Sequence, residues 1–264
     1  MTDATRGQLT GSAADIYEQM FVPAIFAQWP PVLLDAAGVA PGHDVLDVGC
    51  GTGILATAAA ERVGVDARVV GLDPNEPMLA VARGRPQRVE WRSAAAEAIP
   101  YPDGAFDRVV SQFALMYFAD RVKGLAEMAR VTAPGGQVVI AVWAAVAHSP
   151  GYAALADIVA RTLGQDAADA IREPFVLGDP AEVGALVATS FTDVEVRRHH
   201  GVARFDSVDS MVRAEIRGWT LSDTIDDTQY QRLLKAARTN LAFLTDATGH
   251  IEFAMPALLA TGHH

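Results

Sequence analysis

Short apolar runs alternate with helix-like stretches between residues 44 and 142, and no other feature of the sequence constrains the fold as strongly. The helix-like stretches lie at 55–63, 77–83 and 121–131. The apolar runs have the length of buried strands and lie at 45–48, 67–72, 89–91, 107–113 and 137–142. Strands separated by helices of this length form right-handed βαβ units. The alternation therefore predicts an α/β fold with a mostly parallel sheet.

Composition and charge narrow the range of partners. The chain has 264 residues, of which 50% are hydrophobic and 20% charged, so it can bury a sizeable core. Its formal net charge is −11, and no block rich in lysine or arginine interrupts that acidity. Because a phosphate backbone and an anionic membrane surface both attract basic proteins, we expect neither nucleic acid nor membrane as a partner.

Cysteine usage and hydropathy predict the compartment. The single cysteine, Cys50, excludes an intrachain disulfide and any multi-cysteine metal site. The first residues are polar and lack the pattern of a secretory leader. The longest apolar run, 138–147, is about half of the roughly 20 residues that a spanning helix needs. We therefore expect a soluble, cytoplasmic protein. The terminal His263-His264 pair is compatible with a truncated purification tag and is assigned no function.

A glycine-rich turn follows the first predicted strand. Gly49, Gly51 and Gly53 permit a tight turn and let a ligand approach the backbone closely. The helix that follows offers free N–H groups at its start. Asp73 ends the next predicted strand about twenty residues later, which is the spacing of a carboxylate that binds the ribose hydroxyls of a nucleoside. The turn and the acid together predict a nucleoside-binding site.

Two kinds of nucleoside cofactor compete for this site. A dinucleotide fold places its third glycine three residues after the second, where this sequence has Ile54. An acid, Asp47, also lies two residues before the first glycine, where a pyrophosphate would meet a negative charge. S-adenosylmethionine carries an ammonium and a sulfonium, which suit a carboxylate. The residues favour S-adenosylmethionine over NAD.

Four ordered segments carry a resemblance to a known family. The segments are 45–53, 71–79 (Gly-Leu-Asp-Pro-Asn-Glu-Pro-Met-Leu), 96–107 and 125–136. In this order and spacing they resemble the motifs of the class I S-adenosylmethionine-dependent methyltransferases, in the branch that includes ubiquinone/menaquinone C-methylating enzymes. The resemblance covers residues 41–142, and the flanks resemble stand-alone small-molecule members only loosely.

The resemblance implies an architecture for the whole chain. It implies a Rossmann-like, seven-stranded and mostly parallel sheet with helices on both faces, within a single domain. The predicted parts are an N-terminal helical cap at 1–40, a cofactor-binding core at 41–143, a helical lid or substrate insertion at 144–190, and strands and helices at 191–264 that complete the sheet. Within the cap, Pro30-Pro31 is predicted to separate two helices.

The resemblance also implies roles for individual residues. Gly49 and Gly51 would pack against the methionine part of S-adenosylmethionine, Asp47 would help bind its ammonium, and Asp73 would bind the ribose. Cys50 is interpreted as a small filler of the turn and not as a nucleophile. The full set of implied cofactor residues is Tyr17, Asp47, Gly49, Cys50, Gly51, Thr52, Gly53, Asp73, Pro74, Met78, Ala95, Ala96, Glu97 and Gln112.

One position departs from the family pattern. Relatives carry an acid before the alanine of the adenine loop, whereas this chain has Ala95 before Ala96. Two outcomes stay open. Either Glu97 takes the place of the missing acid, or the adenine amino group meets water or backbone and the cofactor is held less tightly.

Candidates for the acceptor side come from the strand ends and the aromatic residues. His148 follows the fifth predicted strand, at the edge where ligands bind in open α/β sheets, and is the first candidate for a general base. Tyr117 follows the fourth strand and is the second catalytic candidate. Phe26, Trp29 and Trp143 are the candidates for an apolar acceptor pocket, and the same aromatic spacing also fits a hydrophobic core.

The function predicted from these features is transfer of a methyl group from S-adenosylmethionine to oxygen, nitrogen or carbon of a small, largely apolar molecule. In-line displacement at carbon needs alignment and exclusion of water, so no metal is expected. One alternative is a non-catalytic S-adenosylmethionine-binding protein on the same fold. Another, disfavoured by Asp47 and Ile54, is an NAD(P)-dependent oxidoreductase. The sequence leaves a homodimer open.

Overall fold

The strands come first in the architecture because they position the site. The computed structural model describes residues 11–85, 88–218, 221 and 224–264. Within these ranges the strands are β1 (Val45–Val48), β2 (Val69–Asp73), β3 (Glu90–Ser93), β4 (Phe106–Gln112), β5 (Thr132–Trp143), β6 (Thr192–His199), β7 (Val202–Phe205), β8 (Ile251–Ala254) and β9 (Ala257–His263).

Seven of these strands form one sheet in the order β3-β2-β1-β4-β5-β9-β6, and β7 pairs with β8 in a separate antiparallel ribbon. Val45 of β1 lies opposite Val69 of β2, and parallel pairing continues through β3, β4 and β5. In β9, Ala260 pairs antiparallel with Ile140 and Val196, so β9 alone runs against the other strands of the sheet. The predicted seven-stranded, mostly parallel sheet is confirmed.

The helices cover the sheet according to its crossover directions. They are α1 (Gly11–Ile16), α2 (Trp29–Ala36), α3 (Ile54–Val63), α4 (Glu76–Ala82), α5 (Arg121–Val131), α6 (Pro150–Leu163), α7 (Gln165–Arg172), α8 (Pro180–Val187), α9 (Val208–Arg217) and α10 (Asp227–Asn240). From β1 the chain steps through β2 to β3 in one direction, and from β4 to β5 in the other. Because such crossovers are right-handed, α3 and α4 lie on one face and α5 lies on the opposite face.

The N-terminal segment corrects one prediction. Helix α1 leads directly into a π-helix, Tyr17–Phe26, with Pro23 inside it. Pro30 and Pro31 do not separate two helices, because they occupy the first turn of α2. Backbone N–H groups have no intrahelical partner in a first turn, so proline is tolerated there. The π-helix places the side chains of Phe21, Ile25 and Phe26 in the core.

The C-terminal part contains two strands that were not predicted. These are β7 and β9, and β9 includes His263, which pairs with Gln137 of β5. Strand β5 also begins at Thr132, several residues before the predicted run. The buried strands β1 and β2 are apolar almost throughout because helices cover both faces. Among the described residues, no helix is long and apolar enough to cross a membrane.

Candidate functional site

A cavity of about 350 Å³ opens at the carboxyl ends of β1, β2 and β4. The strand order reverses between β1 and β4, and crevices at such points are the usual ligand sites of open α/β sheets. Its described lining is Tyr17, Asp47, Gly49, Cys50, Gly51, Thr52, Ile54, Leu55, Leu72, Asp73, Pro74, Asn75, Met78, Ala95, Ala96, Glu97, Gln112, Phe113, Ala114, Tyr117, Phe118 and Ala119.

The glycine turn after β1 forms the floor of this cavity. The N–H groups of Gly49 and Cys50 donate to the carbonyl oxygen of Leu72, at 2.7 and 3.0 Å, which ties the turn to β2. Gly49 has φ +73°, and a Cβ added there would lie 2.3 Å from the Cβ of Ala114. Only glycine therefore fits this position, and the backbone is left bare toward the cavity.

Asp73 joins the turn to the second strand. Its carboxylate accepts two backbone hydrogen bonds of 2.8 Å each, from the N–H of Gly51 and from the N–H of Asn75. Burial nevertheless raises the pKa of Asp73 to about 6. Since each carboxylate oxygen can accept more than one hydrogen bond, Asp73 can also accept from two vicinal hydroxyl groups.

Asp47 lies deeper, at the end of β1, and is fully buried. Its Oδ2 accepts from the N–H of Ala56 at 3.0 Å, while Oδ1 has no hydrogen-bond partner among the described residues. Burial, with a smaller contribution from the charge on Asp73, raises the pKa of Asp47 to about 8. A cationic ligand group would stabilise the ionised form of this carboxyl.

The polar character of the lining fits a cationic nucleoside. Its charged side chains are carboxylates (Asp47, Asp73 and Glu97), and the described lining contains no lysine, arginine or histidine. Three further lining atoms are buried without a described partner: Thr52 Oγ1, Asn75 Nδ2 and Gln112 Oε1. Because unpaired buried polar atoms are costly, such atoms beside a cavity indicate a polar ligand. The residues present therefore fit S-adenosylmethionine.

The part of the cavity expected to bind adenine contains Ala95 where relatives carry an acid. Ala95, Ala96 and Glu97 all line the cavity, and Ala96 is buried. Oε1 of Glu97 accepts from the N–H of Asp120 at 3.0 Å. This carboxylate is therefore held at the start of α5, with its second oxygen as the atom that could reach a ligand amino group.

Thirteen of the fourteen predicted cofactor residues line the cavity, and Gly53 does not. Gly53 precedes α3 with φ +86°, and a Cβ there would lie 2.3 Å from Trp91. Glycine is required at position 53 because the Trp91 ring occupies the space that a side chain would need. Burial raises the pKa of the Cys50 thiol, which agrees with an inert filler.

A second, narrower cavity of about 50 Å³, called the aromatic cavity below, adjoins the first. The two share Tyr17, Phe113 and Tyr117 in their linings. Phe113 follows β4 with φ +56°, a strained value for a residue with a side chain, and stacks on Trp143 with 3.6 Å between ring centroids. The described lining is Tyr17, Phe21, Ile25, Phe26, Phe113, Tyr117, Trp143, Tyr152, Pro174, Phe175, Glu215 and Met255.

The structure brings together most of the predicted acceptor residues. Phe26, Trp143 and Tyr117 line the aromatic cavity. Trp29 does not, because it is 1% exposed and packs behind the cavity, with its ring 6.0 Å from that of Trp143. Burial raises the pKa of Tyr117 well above its ordinary value, so this phenol stays neutral.

His148 is not brought to either cavity. It ends the 3₁₀ turn Val146–His148 after β5, and its side chain is exposed. The described lining of neither cavity includes His148.

Sequence reasoning missed two polar residues of the aromatic cavity, Tyr152 of α6 and Glu215 of α9. Both are buried, and the Tyr152 hydroxyl donates to Oε1 of Glu215 at 2.5 Å. The sequence did contain a signal, because Val208, Met211 and Val212 are apolar at helical spacing and Glu215 continues the same face. Other missed lining residues, such as Asn75, lie beside the recognised motifs.

Comparison with known proteins agrees with this geometry. Residues 46–140 match a family model described as "Methyltransferase domain". This segment is therefore similar to known methyltransferase domains. The match spans β1 to β5, which contain the glycine turn and Asp73, and it confirms the resemblance to class I S-adenosylmethionine-dependent methyltransferases.

A curated relative extends the likeness. The ubiquinone/menaquinone biosynthesis C-methyltransferase of Hydrogenovibrio crunogenus is 38% identical over 132 residues, which are 48% of this chain and 52% of that protein. The chain therefore spans about half the length of this relative. About half of the chain lies outside the alignment.

Two solved structures share the fold. Phosphoethanolamine N-methyltransferase 2 of Haemonchus contortus, in complex with phosphomonomethylethanolamine and S-adenosylhomocysteine, matches with a TM-score of 0.62 and 21% identity over 98% of this chain and 59% of that chain. The [4+2]-cyclase SpnF matches with a TM-score of 0.50 and 17% identity over 89% of this chain and 80% of that chain. At these identities the likeness concerns the fold alone, since the same fold carries different reactions.

Proposed function

We propose that this protein is an S-adenosylmethionine-dependent methyltransferase that acts on a small, largely apolar acceptor. One observation carries the proposal: the Asp73 carboxylate accepts from the N–H of Gly51 beside a cavity in which the charged groups of the described lining are all carboxylates. This arrangement presents hydrogen-bond acceptors to ribose and negative charge to an ammonium and a sulfonium. A dinucleotide pyrophosphate would meet the same charges with repulsion.

The chain's residues divide the binding of this cofactor among them. Asp73 would accept from the ribose hydroxyls, and the free Oδ1 of Asp47 would face the ammonium. Met78 is buried at the start of α4 and would pack against the nucleoside. The bare backbone at Gly49 and Gly51 lets the methionine part lie directly on the turn.

The acceptor would enter from the aromatic cavity. Its walls come from the π-helix, the ends of β4 and β5, and the segment after α7, of which Pro174 and Phe175 line the cavity. We infer that the insertion at 144–190 covers the acceptor and excludes water. Shielding of this kind favours displacement at carbon, in which charge is lost as the new bond forms.

The main contribution of the protein to methyl transfer would be to align the acceptor with the cofactor. S-adenosylmethionine, when bound, supplies a methyl group activated by its sulfonium. Phe113 and Tyr117 border both cavities and would fix the approach of the acceptor. Aligning two reactants in this way can contribute about 7–11 kcal/mol to lowering a barrier.

Calorimetry and turnover test this proposal. We expect S-adenosylmethionine and S-adenosylhomocysteine to give a heat of binding and NADH to give none. Incubation with labelled S-adenosylmethionine and a panel of phenols, quinols and amines should yield S-adenosylhomocysteine and a methylated product. Binding of NADH alone would contradict the proposal. Binding of S-adenosylmethionine with no turnover across the panel would favour a non-catalytic binding protein.

A further inference from the structure

The described lining of the aromatic cavity contains one buried acid. Glu215 lies on α9, is 5% exposed, and belongs to the lining of that cavity. The remaining described lining residues are apolar or are the phenols Tyr17, Tyr117 and Tyr152. Burial raises the pKa of each of these phenols, so they stay neutral. No lysine, arginine or histidine of the described lining neutralises Glu215.

Burying an ionised carboxylate among apolar groups lowers the stability of the fold, so its presence here calls for a functional explanation. Moving a charge into an apolar site without a counter-charge costs several kcal/mol. Tyr152 offsets part of this cost, because its hydroxyl donates to Oε1 at 2.5 Å. Yet a glutamine could accept that bond without any charge. Burial also raises the pKa of Glu215 to about 7, which suits a group that exchanges a proton near neutral pH.

An ionised carboxylate only accepts hydrogen bonds, so a ligand must bring a proton donor to Glu215. The cavity is small, about 50 Å³, and walled by aromatic rings, so the reacting edge of a planar molecule fits it best. A phenol-type hydroxyl is neutral when it enters an apolar cavity, whereas an amine enters as a hydrated ammonium. These features favour a hydroxyl over an amine.

We propose that Glu215 is a catalytic residue that accepts the proton of a phenol-type hydroxyl on the methyl acceptor, and that Tyr152 is its positioning residue. This inference rests on the proposed function. It assigns the acceptor to the class of aromatic hydroxyl compounds and gives the base role to a residue of α9.

The acceptor's O–H bond breaks, and its proton passes to the Glu215 carboxylate. The electron pair left on oxygen, or delocalised onto a ring carbon, forms the bond to the methyl carbon as the carbon–sulfur bond breaks. That bonding pair stays on sulfur, which becomes a neutral thioether. Glu215 then releases its proton to water when the product leaves.

Binding measurements test the inference without turnover. The probes are 4-methylphenol and its methyl ether, which lacks the proton, each titrated with S-adenosylhomocysteine present. We expect the wild-type protein to prefer the phenol by about tenfold or more, since hydrogen bonds to charged groups contribute more than neutral ones. Glu215→Gln keeps the size of the side chain but leaves only a neutral acceptor, so it should lose most of that preference. Glu252→Gln, at an exposed ion pair, is the matched control.

Each result decides between the possibilities. An equal preference for the phenol in wild type and Glu215→Gln would overturn the inference, as would wild-type binding of 4-methylbenzylamine but not of the phenol. If wild type binds no S-adenosylhomocysteine, the proposed function itself fails, and the inference fails with it. Melting temperatures and S-adenosylhomocysteine affinities of all variants show whether a loss comes from the acceptor side alone.

The role of Tyr152 is tested by the pH at which the preference for the phenol begins. Its hydrogen bond lowers the pKa of Glu215, so Tyr152→Phe should move the onset of phenol preference to higher pH. A merely structural Tyr152 would lower stability and leave that onset unchanged. Tyr101→Phe, which removes a hydroxyl bonded to Glu90 outside both cavities, is the matched control and should leave that onset unchanged.

Discussion

Two buried aspartates, Asp47 and Asp73, determine the electrostatics of the larger cavity at the scale of single residues. Both pKa values are raised, chiefly by burial, so part of the cavity's negative charge is suppressed when no cation is bound. A ligand that carries an ammonium and a sulfonium would reverse this suppression. The same pair disfavours ligands with a phosphate group at this position.

Replacing Asp73 should weaken cofactor binding. Asp73→Ala removes the carboxylate expected to accept two ribose hydroxyl bonds, and we expect S-adenosylhomocysteine affinity to fall by about 10- to 100-fold. Calorimetry measures this. Asp73→Asn retains an acceptor for Gly51 and separates loss of the loop bond from loss of charge. Asp103→Ala, an exposed aspartate paired with Arg130, is the control; unchanged affinity in Asp73→Ala would refute the role.

Cofactor affinity should also depend on pH. The raised pKa of Asp73, about 6, means that the free protein holds a proton there at low pH, and that proton must leave before the carboxylate can bind. Affinity for S-adenosylhomocysteine should therefore rise from about pH 5 to about pH 7 as Asp73 ionises, and rise further towards about pH 8 as Asp47 ionises beside the ammonium. In Asp73→Asn the rise should flatten. A wild-type affinity that falls over this range would contradict the assignment.

At the scale of elements, the glycine turn between β1 and α3 is held by backbone geometry. Gly49 lies against Ala114, and the turn donates two hydrogen bonds to Leu72. Strand, turn and helix start could all be predicted because glycine spacing and an apolar run act locally. The π-helix could not, since its i→i+5 pattern depends on packing around Pro23 and not on residue type alone.

Gly49→Ala should destabilise the fold more than a matched glycine change. The added Cβ would lie 2.3 Å from that of Ala114, in addition to the strain of φ +73°. Gly135 has φ +76° with no atom within 4 Å of its added Cβ, so Gly135→Ala isolates the strain. We expect Gly49→Ala to cost about 2 kcal/mol more in unfolding free energy. Equal losses in denaturant titrations would show that the contact relaxes freely.

At the scale of the whole molecule, long-range pairing decides what the sequence could not reveal. Strand β9 has no alternating pattern of its own. In the sheet it lies between β5 and β6, although both of those strands come much earlier in the sequence. Trp29 and Phe26 share one helical aromatic pattern, yet only Phe26 reaches the aromatic cavity. Glu215 approaches the site from α9, outside the motif-rich region. Most residues that line the larger of these two cavities could be predicted because local motifs carry them, whereas the lining of the aromatic cavity depends on tertiary packing.

Cofactor binding should stabilise the entire fold. A ligand that binds only the folded state at about 100 times its Kd adds about 2.7 kcal/mol to the unfolding free energy. For a domain of this size that corresponds to a rise in Tm of about 5–10 °C. Scanning calorimetry with S-adenosylhomocysteine should show this rise, and NADH should not. A rise of the same size in Asp73→Ala, at the same ligand concentration, would mean that the ligand binds elsewhere.

A crystal structure with bound S-adenosylhomocysteine would show whether Asp73 and Asp47 hold the cofactor in this crevice. We expect the ribose hydroxyls to lie within hydrogen-bond distance of Asp73 and the ammonium to lie beside Oδ1 of Asp47. We also expect the sulfur to lie toward Phe113 and Tyr117, at the junction of the two cavities. A ligand bound outside this crevice, or a ribose turned away from Asp73, would contradict these roles.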